Sequence, residues 1–284
     1  MFSKNIKNGN KMIVIKNLGF SYKDKKIFHN LNLKFSMGEW VSVIGHNGSG
    51  KTTLAKILTG LLQHKEGQVF IYDKELTEDN LFELRSLIGI VFQNPDYQFV
   101  GFDVQNDIAF GLENQLLSRK EIQARIKKYS QMIGIENLLY EKPQVLSGGQ
   151  KQKVAMASVL AMEPEIIILD EPTSFLDPQS SQEIFDIIKN IHTKRNKILI
   201  TITHDLHFAF KSDKIIVLEK GLMYKYTEPK HLLEDEDFCL KYFNFLPLAI
   251  QIYYKLKNEL DLEKINQKFF KKLKDTLWQY NLKM

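Results

Sequence analysis

The stretch GHNGSGKT at residues 45–52 has the residue types and spacing of a phosphate-binding loop. Its glycines allow consecutive backbone N–H groups to turn toward one anion, and the helical pattern that follows would point its positive end at the same anion. We expect Lys51 to reach the β- and γ-phosphates of a nucleotide and Thr52 to ligate Mg²⁺. The alternative is a chance match in a glycine-rich turn, but a short apolar strand precedes the loop, as the motif requires. The residues predicted to contact the nucleotide here are Gly45, Asn47, Gly48, Ser49, Gly50, Lys51, Thr52 and Thr53.

Two adjacent carboxylates, Asp170 and Glu171, follow the apolar run at 166–169. Such a run is typical of a strand buried on both faces of a parallel sheet, and ligands bind at the carboxyl ends of these strands. We expect Asp170 to hold Mg²⁺ through water and Glu171 to act as general base on the attacking water. On its own, the pair could equally begin a helix as acidic capping residues. A phosphate loop in the same chain favours the catalytic interpretation.

A second candidate anion site is LSGGQ, residues 146–150, which stands ahead of another helical pattern. A serine and two glycines at the start of a helix expose backbone N–H groups in the same way. One nucleotide does not need two such cradles, so the second would serve a nucleotide held by another subunit. As an isolated pentapeptide, a plain helix cap with flexible glycines is the better interpretation.

Together these motifs resemble the nucleotide-binding domain of ABC transporters, for which LSGGQ is the signature sequence. The order along the chain also matches, because Gln93 lies between the two glycine motifs and His204 follows the acidic pair. The resemblance covers about residues 12–229. It implies an α/β P-loop NTPase core with an antiparallel β subdomain and a helical subdomain at about 94–160. It also implies ATP and Mg²⁺ as ligands, and two subunits that sandwich two ATP molecules head to tail.

The resemblance assigns further residues to the site. Tyr22 resembles the aromatic residue that stacks on adenine, and its alternative is an ordinary strand aromatic. Gln93 resembles the glutamine that reaches Mg²⁺ and water and links the site to a membrane partner; its alternative is a turn residue before 94–95. The segment from Ser174 to Asp177 resembles the loop that crosses to the partner subunit, and His204 resembles the histidine that contacts the γ-phosphate. The other histidines are interpreted as structural. The signature residues assigned to the partner's nucleotide are Ser147, Gly148, Gly149 and Gln150.

A narrower resemblance is to the ATPases of energy-coupling factor (ECF) transporters, carried by VFQNPDYQFVGFDVQNDIAFGLEN at 91–114 and by TITHDL at 201–206. The form of these segments is similar to the first of the two ATPase types that such transporters pair. Asp107 is the retained acid of a pair usual in this group, with Asn106 at the other position. The group also carries a helical C-terminal region that helps to hold two ATPases together, which implies a dimerisation domain at 230–284.

This resemblance implies the ATPase subunit of an importer of vitamins or other micronutrients, peripheral on the cytoplasmic face of the cell membrane. The expected partners are a second ATPase, a transmembrane coupling protein and, indirectly, substrate-binding membrane proteins. We expect the second ATPase to be a paralogue, and the alternative is an identical copy of this chain. The alternatives are an ATPase of another ABC class, a non-transport ABC protein, and a nucleotide-gated regulatory subunit with weak turnover. A single motif set without a long coiled coil disfavours the non-transport class, and Glu171 with His204 disfavours the non-enzymatic one.

The elements that must position these residues can be predicted from patterning. Strands are expected at 12–15, 31–36, 40–44, 67–73, 87–93, 166–169 and 198–203, with a hairpin at 214–229 that turns near 220–221. The region 94–144 is expected to be helical, with a capping box from Ser118 to Glu121 and a helix end at Gly134. Residues 1–11 are expected to be a disordered leader, and the tail at 266–284 extends beyond the resemblance.

Composition limits the class of protein. The chain has 284 residues, of which 44% are hydrophobic and 26% charged, as in ordinary globular proteins rather than disordered or disulfide-stapled chains. Its single cysteine, Cys239, cannot form an internal disulfide, which fits a reducing cytosol. No apolar run reaches the ~18–20 residues of a membrane helix and the start is polar, so we expect neither export nor membrane spanning. A net charge of +5 is weak evidence for nucleic acid, and none is expected as a partner.

Overall fold

The computed structural model describes residues 11–23, 25–259, 272–273 and 275–277. The predicted leader lies outside the described residues except for Lys11, whose ammonium is 2.6 Å from Oε2 of Glu165. The strands are β1 Met12–Tyr22, β2 Lys25–Ser36, β3 Trp40–Ile44, β4 Glu66–Ile71, β5 Lys74–Glu75, β6 Ile88–Val91, β7 Ile166–Asp170, β8 Ile198–Ile202, β9 Lys214–Glu219 and β10 Leu222–Thr227. The α-helices are α1 Lys51–Leu58, α2 Leu81–Arg85, α3 Val104–Asn114, α4 Arg119–Ile133, α5 Gly148–Ala161, α6 Pro178–Thr193, α7 Leu206–Ala209, α8 Pro229–Glu234, α9 Glu236–Lys241 and α10 Leu248–Glu259.

A six-stranded sheet with the order β10-β9-β3-β8-β7-β6 positions the site. Its pairs from β9 to β6 are parallel, whereas β10 returns antiparallel to β9 as the predicted hairpin. All five residues of each of β3, β7 and β8 are buried, which confirms strands covered on both faces. The phosphate loop and the acidic pair therefore emerge at the same edge, because parallel strands end on the same side.

A separate four-stranded sheet with the order β2-β1-β4-β5 is antiparallel throughout. It packs against one face of the central sheet, where Ile166 and Ile168 join the apolar residues of β1, β2 and α1 in one core. Ile167 and Leu169 point to the opposite face, because side chains alternate along a strand. One strand of the central sheet thus contributes to two cores.

The helical region covers that second face. Helices α3, α4, α5 and α6 bury their apolar sides there against the central sheet. The predicted capping box is confirmed, since Ser118 and Glu121 each bond the other's backbone, and Gly134 ends α4 at φ 75°. The region 94–144 is not one continuous helix: α3 and α4 are joined to short 3₁₀ turns by irregular segments.

The helices that follow β10 pack on the parallel sheet rather than standing apart from it. Leu232, Phe238 and Ile250 lie in one buried cluster with Ile44 and Val217 of the central sheet. The described part of the predicted C-terminal domain therefore shares a core with the domain that carries the motifs. Within the described residues, no helix combines the length and the apolar character needed to cross a bilayer. The tail at 266–284 lies almost wholly outside the described residues.

Candidate functional site

The phosphate loop connects the end of β3 to the start of α1. Gly45 has φ 152° and Gly50 has φ 104°, both in the region that disfavours side chains. A Cβ on Gly45 would lie 2.2 Å from the carbonyl oxygen of Leu218, and one on Gly50 would lie 2.6 Å from the ring of Phe28. Only glycine fits at these two positions, so tight packing of β9 and β2 against the loop explains two of its glycines.

The side chain of Lys51, the first residue of α1, lies against the backbone of this loop. Its ammonium donates to the carbonyl oxygens of Gly45 at 2.8 Å and His46 at 3.2 Å. Burial lowers the pKa of Lys51, and the nearby carboxylates of Glu171 and Asp170 partly oppose that effect. The hydroxyl of Ser49 is buried and has no hydrogen-bond partner among the described residues. An unpaired buried donor beside a lysine is what an anion would satisfy.

The first residue after Lys51 contacts the end of β7. The hydroxyl of Thr52 donates to Oδ1 of Asp170 at 3.3 Å, so a hydroxyl and a carboxylate share one small volume. Burial raises the pKa of Asp170, the hydrogen bond from Thr52 opposes that effect, and the charge of Glu171 adds to it. Hard oxygen donors of this kind are the ligands Mg²⁺ prefers. The residues present therefore fit a magnesium ion that a phosphate would also ligate.

Glu171 continues directly from β7 and is nearly buried, at 7% exposure. Its φ is 51°, in the left-handed region, and its N–H donates to the carbonyl of Ile202 on β8 at 2.8 Å. Its Oε2 lies 2.7 Å from Nδ1 of His204 and accepts the hydroxyl of Ser174 at 2.6 Å. Backbone strain at a non-glycine residue persists where the surroundings impose it, which is common at reactive sites.

A cavity of about 290 Å³ opens beside this carboxylate. Its lining includes Gln93, Gly148, Glu171 and Ser174, which come from three separate segments of the chain. The predicted glutamine and one signature glycine thus reach the same space as the predicted base. Another cavity, of about 310 Å³ and bordered by Gly60 and Leu81, lies near the antiparallel sheet and contains none of the predicted site residues.

The signature forms the start of α5. Ser147 is its N-cap, and Gln150 completes a capping box, so the interpretation of this motif as a helix cap is also correct. A Cβ on Gly149 would lie 2.5 Å from Oγ of Ser180, whereas one on Gly148 would meet nothing closer than 3.8 Å. Gly149 is therefore required by packing against α6, and Gly148 is not.

The remaining predicted residues have varied surroundings. Tyr22 ends β1 with 42% exposure, and its ring meets Phe20 edge-on at 4.9 Å. Asp177 caps α6 by accepting the N–H of Ser180 at 2.9 Å. Asn47 and Gly48 are exposed, and Thr53 is buried in α1. Among the described residues, no hydrogen bond, ion pair or ring contact joins Tyr22 to the phosphate loop.

Comparisons with known proteins now decide the family. The model of the ABC transporter family matches residues 28–174. The energy-coupling factor transporter ATP-binding protein EcfA of Aster yellows witches'-broom phytoplasma is 54% identical over 96% of this chain and 100% of its own length. EcfA1 of Streptococcus agalactiae serotype Ia is 42% identical over 96% of this chain and 99% of its own length.

The chain belongs to the ATP-binding proteins of ECF transporters. It is the ATP-binding and ATP-hydrolysing subunit of an ECF-type ABC transporter, which confirms the family and enzyme class predicted from the motifs. The predicted first ATPase type agrees with the EcfA1 name of the streptococcal relative, whereas the phytoplasma relative is named EcfA without a type number.

Solved structures confirm the ABC ATPase fold. CbiO1 from Clostridium perfringens, described as part of the ABC transporter complex cbiONQ, superposes with a TM-score of 0.74 at 31% identity and covers 86% of this chain and 99% of that one. A dimeric ATP-binding cassette bound to ADP and Pi in a post-hydrolysis state superposes with a TM-score of 0.70 at 30% identity, over 76% of this chain and 98% of that one. This ECF ATPase thus shares its fold with a cassette whose structure represents the state after ATP hydrolysis.

Sequence reasoning did not predict the contacts that three residues of this ECF ATPase make. Ser174 bonds Glu171, although only its place in the loop ending at Asp177 could have suggested a role. His46 was grouped with structural histidines, yet its ring stacks on Tyr242 at 4.8 Å. No local pattern could have found that pair, because its partners lie 196 residues apart in the sequence.

Asp107 is the third of these residues, and it organises an exposed loop. It is buried, and its Oδ1 accepts the N–H groups of Val100 at 2.9 Å and Gly101 at 3.2 Å. Its Oδ2 accepts the hydroxyl of Ser158 on α5 at 2.9 Å. The retained acid noted in the sequence was the available signal. One carboxylate therefore ties the 100–101 loop to the signature helix.

Proposed function

We propose that this chain binds ATP with Mg²⁺ between its own phosphate loop and the signature of a second ABC ATPase subunit, and that hydrolysis drives a membrane partner. The observation that carries this proposal is the convergence of Lys51, Thr52, Asp170 and Glu171 at one edge of the parallel sheet. His204 joins them from the neighbouring strand end. A cation, two oxygen ligands and a base in that arrangement suit phosphoryl transfer to water.

The phosphate loop would bind the triphosphate. Lys51 would hold the β- and γ-phosphates, and the unpaired hydroxyl of Ser49 supplies a further donor. Thr52 and Asp170 would hold Mg²⁺, with Gln93 contributing from the adjoining cavity. The ion neutralises charge on the phosphate oxygens when it is bound. Tyr22, exposed at the end of β1, would stack on the adenine ring.

Hydrolysis would depend on Glu171, which follows the proposed magnesium ligand Asp170. Glu171 would accept a proton from the attacking water, and its nearly buried position excludes competing bulk water. His204 and Ser174 contact the same oxygen of that carboxylate and orient it. We assign His204 a second contact, to the γ-phosphate, because half of its side chain is exposed at this edge.

The second subunit completes the site from outside. Ser147 and Gly148 begin α5 with exposed positions, so their N–H groups are available to a γ-phosphate held by a neighbour. Asp177 would cross to the neighbour from the loop that follows Glu171. Because several relatives carry the numbered name EcfA1, we propose a paralogue as the neighbour. The C-terminal helices, with the segment 230–284 as a whole, would help to hold the pair together.

A membrane partner would dock beside the cavity that contains Gln93. Five large apolar side chains there are 63–84% exposed, which is an unusual concentration for a surface that faces only water. These five side chains belong to Tyr97, Val100, Phe102, Tyr140 and Val145. We propose a transmembrane coupling protein as the occupant, because the solved relative CbiO1 is described as part of a transporter complex. The chain would then lie peripherally on the cytoplasmic face of the membrane, and vitamins or other micronutrients would be the cargo.

Co-expression with the products of adjacent genes tests this proposal. Native mass spectrometry of the purified complex should give one copy of this chain, one paralogous ATPase and a membrane subunit. ATP hydrolysis by that complex should require Mg²⁺ and should be lost with EDTA. A complex holding two copies of this chain would contradict the paralogue, and recovery of the chain without any membrane protein would contradict the coupling assignment.

A further inference from the structure

The phosphate loop contacts the C-terminal helices through one pair of rings. The imidazole of His46 stacks on the phenol ring of Tyr242 with centroids 4.8 Å apart and an angle of 12° between planes. Phe245 meets the same imidazole edge-on at 5.9 Å. His46 is the second residue of the loop, whereas both aromatic residues follow α9.

Tyr242 is held rigidly on the C-terminal side. It is 3% exposed and stacks on Phe238 with centroids 4.6 Å apart. Its hydroxyl donates to Oε1 of Glu219, at the end of β9, at 3.0 Å. The ring is therefore fixed on one face by α9 and at its tip by the central sheet, and its other face is presented to His46.

His46 in turn shapes the part of the loop that faces phosphate. Its carbonyl oxygen accepts the ammonium of Lys51 at 3.2 Å and the N–H of Ser49 at 3.1 Å. Neighbouring Asn47 and Gly48 are exposed, and no atom lies within 4 Å of where a Cβ on Gly48 would stand. The outer half of the loop thus has few supports, and the ring stack is one of them.

We propose that Tyr242 is a positioning residue for the phosphate loop: by stacking on His46 it holds the loop in its nucleotide-binding shape. The C-terminal helices then set the ATP affinity of the site as well as packing on the sheet. This inference rests on the proposed role of the loop in phosphate binding. A ring pair of this kind is worth up to about tenfold in an equilibrium constant.

The test is a double-mutant cycle in the full-length chain. ATP dissociation constants are measured by calorimetry for wild type, His46→Ala, Tyr242→Leu and the double variant. We expect each single variant to weaken ATP binding by about three- to tenfold and the double variant to be no weaker than the worse single. His46→Phe keeps a flat ring and should restore affinity to within about twofold of wild type.

Two controls show whether the ring stack itself sets ATP affinity. The first removes the other contact of Tyr242, and the second compares ATP binding with ATP hydrolysis. Tyr242→Phe loses the bond to Glu219 but keeps the ring, so its ATP affinity should match wild type. In the assembled transporter, the ring-deleting variants should raise KM for ATP while leaving kcat at saturating ATP unchanged.

The outcomes are distinguishable. If His46→Ala, at an exposed position that folding does not require, binds ATP like wild type, the positioning role is wrong. Additive effects of the two single variants would also overturn it, because independent residues add. If Lys51→Ala leaves ATP affinity unchanged, the phosphate-loop assignment itself fails, whatever the His46 variants do.

Discussion

Nδ1 of His204 and Oε2 of Glu171 lie 2.7 Å apart, although 33 residues of sequence separate them. Each follows a parallel strand, β7 or β8, and the pairing of these neighbouring strands brings their ends together. The acidic member is nearly buried, whereas the histidine is half exposed. The histidine can therefore respond to a phosphate or a neighbouring subunit and pass that response to the carboxylate.

The first prediction concerns the proposed base. Glu171→Gln keeps the size of the side chain and its contacts to His204 and Ser174, but it removes the proton acceptor. We expect kcat for ATP hydrolysis in the assembled complex to fall by about a hundredfold or more, with ATP affinity nearly unchanged. Ser174→Ala is the matched control, because it removes one orienting bond and should cost only about threefold to tenfold. Turnover of Glu171→Gln near the wild-type rate would remove this residue from its role.

The second prediction concerns the loop lysine. Lys51→Met keeps an apolar stem but removes the ammonium, so ATP affinity should fall by about ten- to a hundredfold, the effect of losing a charge-assisted bond. Folding should not suffer, because burial already disfavours the charge of Lys51 and lowers its pKa. Lys56→Met, five residues later on the same helix, should bind ATP normally. Calorimetric titration of ATP into both variants decides the matter, and equal affinities would contradict the assignment.

The third prediction links a magnesium ligand to stability. Burial raises the pKa of Asp170, so the folded chain prefers the neutral acid and pays for the carboxylate at neutral pH. Asp170→Asn should therefore increase the free energy of unfolding in EDTA at pH 7 while abolishing Mg²⁺-dependent hydrolysis. That gain should shrink as the pH falls through the raised pKa toward the ordinary value of 3.8, because the wild-type acid then becomes neutral too. Urea titrations at several pH values measure it; a loss of stability at pH 7 would contradict the argument.

Opposite behaviour is expected at Asp177, which serves as the control. The hydrogen bonds from Ser180 lower the pKa of Asp177, so its carboxylate stabilises α6 above the ordinary pKa and loses that effect in acid. Asp177→Ala should decrease the free energy of unfolding at pH 7, and the difference from wild type should disappear at low pH.

The fourth prediction separates the two signature glycines. The methyl group of Gly148→Ala would make only ordinary contacts, at 3.8 Å, and the position is helical, so the chain should fold at least as stably and bind ATP normally. A methyl group on the surface offered to the partner's phosphate should nevertheless slow hydrolysis in the assembled pair by about tenfold or more. Gly149→Ala should instead lower the melting temperature, because its Cβ would collide with Ser180. If Gly148→Ala hydrolyses ATP normally in the complex, the partner-facing role of this turn is wrong.

The fifth prediction concerns the loop on the proposed docking surface. Asp107→Ala leaves the N–H groups of Val100 and Gly101 without their acceptor, so the loop should lose its shape. We expect co-purification with the membrane subunit to fall by about tenfold or more, with ATP binding by the isolated chain unchanged. Asp107→Asn retains an acceptor oxygen and should bind the membrane subunit nearly as wild type. Equal loss in both variants would mean that charge, not loop shape, is what matters.

Local patterning was sufficient for much of the architecture. The buried strands β7 and β8 were evident from continuous apolar runs, the capping box at Ser118 from residue spacing, and the hairpin from Lys220 and Gly221. Each of these depends on neighbours a few residues away, so the chain itself contains the information. The irregular path that leads into α3 was harder to predict, because it is set by contacts such as Asp107 with Val100 rather than by periodicity.

The sequence by itself determined which residues could do chemistry. The phosphate loop, the acidic pair and the signature are short stretches that are recognised from residue types at a fixed spacing. Only the tertiary structure decided which of them act together. Strand order set Glu171 beside His204, the packing of α6 made Gly149 obligatory but left Gly148 free, and the fold of the C-terminal helices brought Tyr242 onto His46. Such contacts join residues far apart in the chain, and their geometry exists only once the sheet and helices have packed.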